Sequence, residues 1–318
     1  MSKADLIYKE MVLDIHKNGV WEDSENVRPK YEDGTPAPTK AIINKQLKFD
    51  NSEFPILTQK RAGIKDSVKE MFWIWQKMSN KVQDLRDVGC KVWDEWEQKD
   101  GTIGKAYGWQ LANKTRKVTM DNLFLDMAKN GEFSVSEFDG VADEDWTAAQ
   151  QELEEGLIQE VELNQVDYLL YQLKKNPFSR RIKTTLYCVE DLDEMALEPC
   201  VYETHWQLWN GTLNLTVNVR SNDICLGNPY NVTQYAILQR MIAQVTGHKV
   251  GELCFNIDNA HIYDRHMDKV LNQIERPMHD APTVNINPDV QSFYNFTLGD
   301  VEVVDYQHSG KIQYEVAI

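Results

Sequence analysis

Residues 198–231 read EPCVYETHWQLWNGTLNLTVNVRSNDICLGNPYN, and this stretch decides the fold. Within it, residues 212–219 (TLNLTVNV) alternate strictly. Leu213, Leu215, Val217 and Val219 point one way, and Thr212, Asn214, Thr216 and Asn218 the other. Period-two alternation predicts a half-buried strand, since successive side chains of a strand face opposite sides of the sheet. Asn210-Gly211 just before it predicts a tight hairpin turn, because both residues tolerate a positive φ. The hairpin folds the segment after Cys200 back along 212–219 and sets Arg220 beside Cys200. Asn228-Pro229 opens a helix through about Thr246, with Pro229 in its first turn and Gly247 as its C-cap.

Outward from this stretch the pattern is mixed. Residues 66–78, DSVKEMFWIWQKM, predict an amphipathic helix, with Val68, Met71, Phe72 and Trp75 near helical spacing. Residues 164–175 predict another, ending in Lys174-Lys175 and stopped by Asn176-Pro177, because the residue before proline is pushed out of the α region. Strands and helices mix without regular βα alternation, which predicts an α+β class with a mixed sheet.

The 318 residues carry a net charge of −16. That excludes a protein that coats DNA or RNA through a general basic surface, since such binding rests on neutralising phosphates. Hydrophobic content of 42% is enough for a sizeable core and argues against intrinsic disorder. Eleven of the sixteen excess negative charges lie in residues 131–163, which contain no Lys or Arg. This segment predicts a solvated acidic insertion, partly helical around 146–162 and not part of the core, in a chain that otherwise forms one domain over 1–318.

Cys90, Cys188, Cys200, Cys225 and Cys254 are odd in number and include no CxxC pair, so neither a disulfide framework nor a metal site is expected. The stretch MSKADLIYKEMV lacks the apolar core of a signal peptide. No apolar run approaches a membrane span, and a cytoplasmic location is expected. The sequons at Asn210 and Asn231 read as chance matches in that setting.

A single cysteine is most often a small buried hydrophobe. Cys200 has a sharper reading only if a nearby cation favours its thiolate, the nucleophilic form. Arg220 is in position to supply that cation. Ser221, Asn222, Asp223, Gly227 and Asn231 follow within a dozen residues, a density that suits a ligand-binding loop and equally a surface turn.

At this point the chain resembles a known family. Pro199-Cys200, Arg220-Ser221, Asp223, Leu226-Gly227, Pro229-Tyr230-Asn231 and Asn259-Ala260-His261-Ile262-Tyr263 resemble the active-site region of the thymidylate synthases. PILTQKR (55–61), Glu70, VWDEW (92–96), GTIGKAYGWQ (101–110), NPFSRRI (176–182) and VAI (316–318) follow that family's order along the chain. The similarity runs from about residue 20 onward, outside the acidic insertion, and the divergent N-terminal loop and tryptophan-rich helix resemble the Bacillus and Bacillus-phage branch.

The resemblance implies the family's fold: a mixed twisted sheet flanked by helices, dimerising through packed sheets. It implies reductive methylation of dUMP to dTMP, with 5,10-methylenetetrahydrofolate giving the one-carbon unit and the hydride and leaving as dihydrofolate. Cys200 matches the nucleophile that adds to C6 of dUMP. Arg220 matches the arginine that contacts phosphate and thiolate, and so implies a lowered thiol pKa. Glu70 matches the carboxylate that organises proton transfer near O4, and a carboxylate buried among Phe72, Trp73 and Trp75 would have a raised pKa. Tyr107 matches a tyrosine near the cysteine.

For dUMP, Ser221 matches a hydroxyl contact to phosphate, and Asn231 an amide facing O4 and N3–H of uracil. His261 and Tyr263 match partners of the deoxyribose 3′-hydroxyl. Arg180 and Arg181 match the pair that reaches the phosphate of the neighbouring subunit, which makes a homodimer part of the site. For folate, the matches are Trp93, Trp96, Asp223 (to the pterin), Gly227, Lys60 (near the tail, with Arg61) and Ile318 in the closing segment. No metal, DNA or membrane is implied.

The chain departs from the family at three positions around the cysteine and arginine: Val201 replaces a common histidine, Val219 a common glutamine, and Asn222 a cysteine or alanine. The loop ENVRPKYEDGTPAPTK (25–40) differs in length and register from the family's phosphate loop, and either Arg28 or Lys30 is left to supply its cation. Two rival readings remain: a deoxypyrimidine hydroxymethylase of the same fold, and a non-catalytic nucleotide- or RNA-binding relative. Asn231 favours uracil over cytosine, and Trp93 favours hydride transfer over addition of water.

Overall fold

The computed structural model describes residues 1–23, 26–134, 142–157 and 160–317. Its strands are β1 (Val20–Trp21), β2 (Thr39–Phe49), β3 (Arg116–Thr119), β4 (Glu160–Leu163), β5 (Lys183–Thr185), β6 (Val201–Trp209), β7 (Thr212–Val219), β8 (Asn222–Asp223), β9 (Lys249–Tyr263), β10 (Thr283–Ile286) and β11 (Val301–Val304). Its helices are α1 (Lys3–Asn18), α2 (Ile64–Met71), α3 (Val82–Asp87), α4 (Gly108–Asn113), α5 (Asn122–Lys129), α6 (Asp143–Glu154), α7 (Gln165–Lys175), α8 (Gly227–Val245) and α9 (Asp264–Gln273).

The main sheet runs β1-β2-β9-β7-β6-β5, with β8 on β9. Its neighbours are antiparallel except β7–β9 and β8–β9, which are parallel, so the sheet is mixed and the class is α+β. The hairpin forms as the alternation requires. Trp209 pairs with Thr212, and Asn210 and Gly211 adopt φ of 51° and 75°. Every second residue of β7 is buried, from Leu213 to Val219. On the opposite face, side-chain bonds cross four strands: Asn218 to Glu203 (2.8 Å), Asn256 to Asn218 (3.0 Å) and Gln46 to Asn256 (2.9 Å).

The parallel pair β7/β9 needs a crossover, and α8 supplies it. Most of α8 is buried, and it packs on β7, β9 and α2. Its start at Gly227 follows β7 by a few residues, so the end of β7, β8 and the first turn of α8 gather at one end of the sheet. Gly247 takes a φ of 74° just past the helix, as a terminating glycine does.

Two expectations are corrected. Residues 66–78 are not one α-helix: α2 ends at Met71 and Phe72–Gln76 form a π-turn. The wider turn brings Trp73, Ile74 and Trp75 all into the core, where a 3.6-residue period would rotate one of three successive residues outward. In the acidic segment, α6 stops at Glu154, with Gly156 at a φ of 79°. Residues 160–163 then pair as β4 with β3. Glu160-Val161-Glu162-Leu163 alternates, and Leu163 is fully buried, as Phe133 nearly is, so the segment contributes to the core. Residues 135–141 and 158–159 of this insertion lie outside the described residues.

Candidate active site

Cys200 sits at the start of β6, where pairing with β7 fixes its neighbour. The Arg220 N–H donates to the Cys200 carbonyl at 2.9 Å, extending the Val201–Val219 pair by one residue. The Arg220 guanidinium turns back over the same loop and donates to the Glu198 and Pro199 carbonyls at 2.6 and 3.2 Å. From the other side, the Cys200 N–H donates to the Tyr107 hydroxyl at 3.1 Å. Burial pushes the Cys200 thiol up, and the Arg220 charge pulls against it without reversing the direction. Arg220 thus lowers the thiol pKa as the resemblance implies, while desolvation outweighs it in the net direction.

Tyr107 is held in an unusual backbone state, φ 47° and ψ −105°, of a kind that costs about 1–3 kcal/mol and persists only where packing over-determines it. The GTIGKAYGWQ motif supplies that packing. A Cβ on Gly104 would meet the Glu194 carbonyl oxygen at 1.9 Å, and one on Gly108 the Ser79 carbonyl oxygen at 2.3 Å. These glycines let the loop lie against neighbouring backbone and present the tyrosine to Cys200.

Glu70, at the end of α2, is 8% exposed. The Trp93 indole N–H donates to its Oε1 at 2.5 Å, and Gln234 to its Oε2 at 2.8 Å. Both donors are neutral, so burial dominates and pushes the carboxyl up to about 7. Trp93 is itself packed edge-on against Tyr107 (5.0 Å between ring centroids) and Trp96 (5.5 Å). Glu70, Trp93, Tyr107 and Cys200 therefore form one contact chain.

The residues after Arg220 form a third wall. Asn222, 2% exposed, accepts from the Asn228 amide at 2.7 Å and turns its own amide toward Asn231 Oδ1 at 3.4 Å. Asp223 Oδ1 accepts from the Cys225 and Leu226 N–H groups at 2.7 and 3.3 Å. The pairing of β8 with β9 places Asp223 opposite His261. A Cβ on Gly227 would meet Asn231 Oδ1, Asn222 Nδ2 and Asp223 Cβ at 3.8–4.0 Å, ordinary van der Waals contact, so the glycine sits directly against these three side chains. His261 contacts Asn259 Oδ1 through Nδ1 at 2.9 Å and stacks edge-on with Tyr263 at 5.4 Å. Burial pushes its pKa down, which keeps the ring neutral. Ser221 is half-buried, next to Arg220.

Other expected residues lie elsewhere. Arg180 and Arg181 are exposed on the loop after α7, and no described hydrogen bond or ion pair joins their guanidinium groups to Cys200, Arg220 or Ser221. Arg181 lines a surface cleft with Arg116, Tyr168 and Lys175. Lys60 is buried, with its ammonium donating to the Cys225 carbonyl and over the Tyr314 ring at 5.0 Å. Arg61 is exposed. Arg28 is exposed, and its charge reaches the Tyr263 hydroxyl, whereas Lys30 pairs with Pro36 in the turn of its own loop. Ile318 lies outside the described residues.

Sequence reasoning missed Gln234 and Asn228. A signal for Gln234 existed: it stands three residues after Asn231 on α8, hence on the same helix face. It also missed Arg265, whose guanidinium bonds Glu315 (3.0 Å) on one side and Asp33 (2.8 Å) on the other, tying the 28–36 loop to the last residues described.

The family model described as thymidylate synthase matches residues 6–318. A thymidylate synthase of Bacillus subtilis subsp. natto is 46% identical over 319 residues, covering 100% of both chains. The thymidylate synthase of Bacillus phage phi3T is equally similar, at 46% over 319 residues with full coverage of both. Among solved structures, the thermostable thymidylate synthase A from Bacillus subtilis superposes with a TM-score of 0.82 at 45% identity, covering 99% of each chain.

Proposed function

Because the chain belongs to the thymidylate synthase family, we propose that Cys200 is its nucleophile and that the surrounding residues divide the reaction as follows. The observation that carries this reading is the pairing of Cys200 with Arg220 at the open end of β6 and β7. Uracil C5 is a poor nucleophile until a thiolate adds to C6 and makes C5 enolate-like. Cys200 forms that bond, which divides one hard step into easier ones. The family's folate co-substrate, 5,10-methylenetetrahydrofolate, supplies the one-carbon unit to C5 and then a hydride.

Arg220 holds the substrate phosphate and, as the charge beside Sγ, favours the thiolate. Ser221 adds a hydroxyl to the phosphate contact, and Arg28 is the loop cation that joins it. Asn231, oriented by Asn222, faces the uracil edge, where one amide both donates and accepts. His261 and Tyr263 hold the 3′-hydroxyl. Glu70, poised near neutrality, exchanges a proton with the base through O4 and water. Tyr107 fixes the backbone of Cys200.

On the folate side, Trp93 and Trp96 form an aromatic wall that excludes water. The second oxygen of Asp223 serves the pterin ring, and Gly227, which adds no side chain beside Asp223, lets the ring approach. Lys60, with Ile318 and the segment before it, serves the tail side. The whole chain acts as one catalytic domain with an acidic insertion, in the cytoplasm. Arg180 and Arg181, whose guanidinium groups make no hydrogen bond or ion pair among the described residues, reach the phosphate of a second copy, with the polar face of the sheet as the packing surface.

A fluorinated dUMP analogue with methylenetetrahydrofolate tests the central claim. The expected product is a covalent adduct whose mass maps to the peptide containing Cys200; an adduct elsewhere overturns the assignment. Turnover of dUMP should yield dTMP and dihydrofolate in equal amounts, and hydroxymethyl-dUMP without dihydrofolate would support the hydroxymethylase instead. Mixing Arg180→Ala with Cys200→Ala chains should restore activity if sites are shared. No recovery despite proven subunit exchange would refute sharing.

A further inference from the structure

Behind Asp223 the interior holds more polar groups than it has partners for. A carboxylate oxygen of Asp223, the Sγ of Cys225 and a ring nitrogen of His266 lie within 4.8 Å of one another. Cys225 is fully buried and His266 is 1% exposed. Among the described residues, the buried polar atoms without a hydrogen-bond partner include His266 Nδ1, the Tyr8 hydroxyl and Gln273 Nε2. The Tyr8 hydroxyl is near enough to Cys225 and Asp223 to feel both, and Gln273 lies beside it.

The histidine is prepared in a specific way. Its Nε2 lies 2.8 Å from the Glu315 carbonyl oxygen. A carbonyl only accepts, so Nε2 carries the hydrogen and Nδ1 keeps a lone pair. A buried imidazole with one nitrogen tied to a backbone carbonyl and the other an unused acceptor is the state in which histidines ligate metals. Asp223 is similarly oriented, with Oδ1 fixed by two backbone N–H groups. Of the nearby cations, Lys60 donates to the Cys225 carbonyl, and the Lys269 ammonium is turned to the Gln313 carbonyl at 3.0 Å.

We propose that Asp223, Cys225 and His266 form a binding site for a transition-metal ion of the zinc class, with one oxygen, one sulfur and one nitrogen ligand. Such a donor set suits zinc, whose ligands sit at about 2.0–2.3 Å, and side-chain rotation brings the three atoms together around it. Binding converts the Cys225 thiol to a thiolate and releases its proton to solvent. A water completes the tetrahedron, and the Tyr8 hydroxyl and the Gln273 amide are the donors available to it. The cluster Cys188, Glu190 and Asp191 offers a contrast, because Lys114 already occupies it, at 2.9 and 2.6 Å from the two carboxylates. One consequence rests on the function proposed above: an ion on Asp223 excludes the pterin, so metal and folate compete.

The test is titration of the reduced, chelator-treated full chain with Co²⁺. The expected result is one ion per chain with a thiolate-to-cobalt band in the near ultraviolet, displaced by Zn²⁺ and unchanged in Cys200→Ser. Cys225→Ser and His266→Asn, checked for folding by circular dichroism, should each lose the band or bind at least about tenfold more weakly. A band that persists in Cys225→Ser, or no band in the unmodified protein, overturns the site. Methylenetetrahydrofolate with dUMP should raise the apparent Kd for Co²⁺. Binding that ignores the folate leaves the metal site standing and removes Asp223 from the folate assignment.

Discussion

Cys200 and Glu70 are both buried ionisable groups held toward their neutral forms, and they differ in what stands beside them. Cys200 has a full cation in Arg220, anchored by its own backbone contacts. Glu70 has only an indole and an amide. In the function proposed above, the difference separates two tasks. A group that must become an anion and stay reactive is given a charge to lean on. A group that must exchange a proton in both directions is left with neutral donors, and desolvation sets it near pH 7.

Four changes break or sharpen that contrast, from the largest effect to the smallest. Cys200→Ser should abolish turnover, by about 10⁴-fold or more, with thermal stability unchanged. Activity retained in protein free of host enzyme would remove Cys200 from its role. Arg220→Ala should cost about 10²–10³-fold in kcat/KM, as loss of a group that stabilises developing charge does. It should also raise the pH at which Cys200 reacts with an alkylating reagent, and an unmoved alkylation profile would show that the cation does not act on the thiol.

Glu70→Gln should lower kcat by about 10²-fold or more and remove the limb of the pH–rate profile centred near 7. The same variant carries a stability prediction. Glu70 rises from 4.5 to about 7 on folding, so the native state binds the extra proton between those values. Stability from this group is full below pH 4.5 and lost as pH rises through 7, by about 3 kcal/mol at most. Melting temperatures of Glu70→Gln should therefore fall less than those of the unmodified protein between pH 5 and 8, and parallel curves would refute the raised pKa. Tyr107→Phe, which removes the acceptor for the Cys200 N–H and the hydroxyl beside its thiol, should cost about 1–3 kcal/mol of stability. A gain in stability would show that the hydroxyl is not needed there.

How much of this was legible depends on the range of the forces involved. The hairpin, β7 and the bounds of α7 and α8 follow from local rules: alternation, Asn-Gly, Asn-Pro and a terminal glycine. The π-turn at 72–76 was not legible, because FWIWQ is apolar on every side and periodicity has nothing to register. β4 was overlooked although Val161 and Leu163 alternate with glutamates, since high charge masked the pattern. Cys200, Arg220 and Glu70 stand out in the sequence through the order of motifs. The balance on the thiol does not, because the weight of desolvation against Arg220 depends on packing that no spacing encodes. Lys60 makes the same point: its neighbours Cys225 and Tyr314 are far away in sequence.

The pairing of β2 with β9 joins Thr39 to Tyr263, and β7 finds its parallel neighbour only in the same late strand. During synthesis, a chain that has not reached residue 249 carries β2 with its hydrogen-bonding edge open and β7 paired on one side alone. The sheet that supports Cys200 therefore closes late, after most of the polypeptide has emerged. Until then the exposed edges invite association with other chains. Any truncation or translational pause before β9 is complete should yield not a weak enzyme but an aggregation-prone fragment.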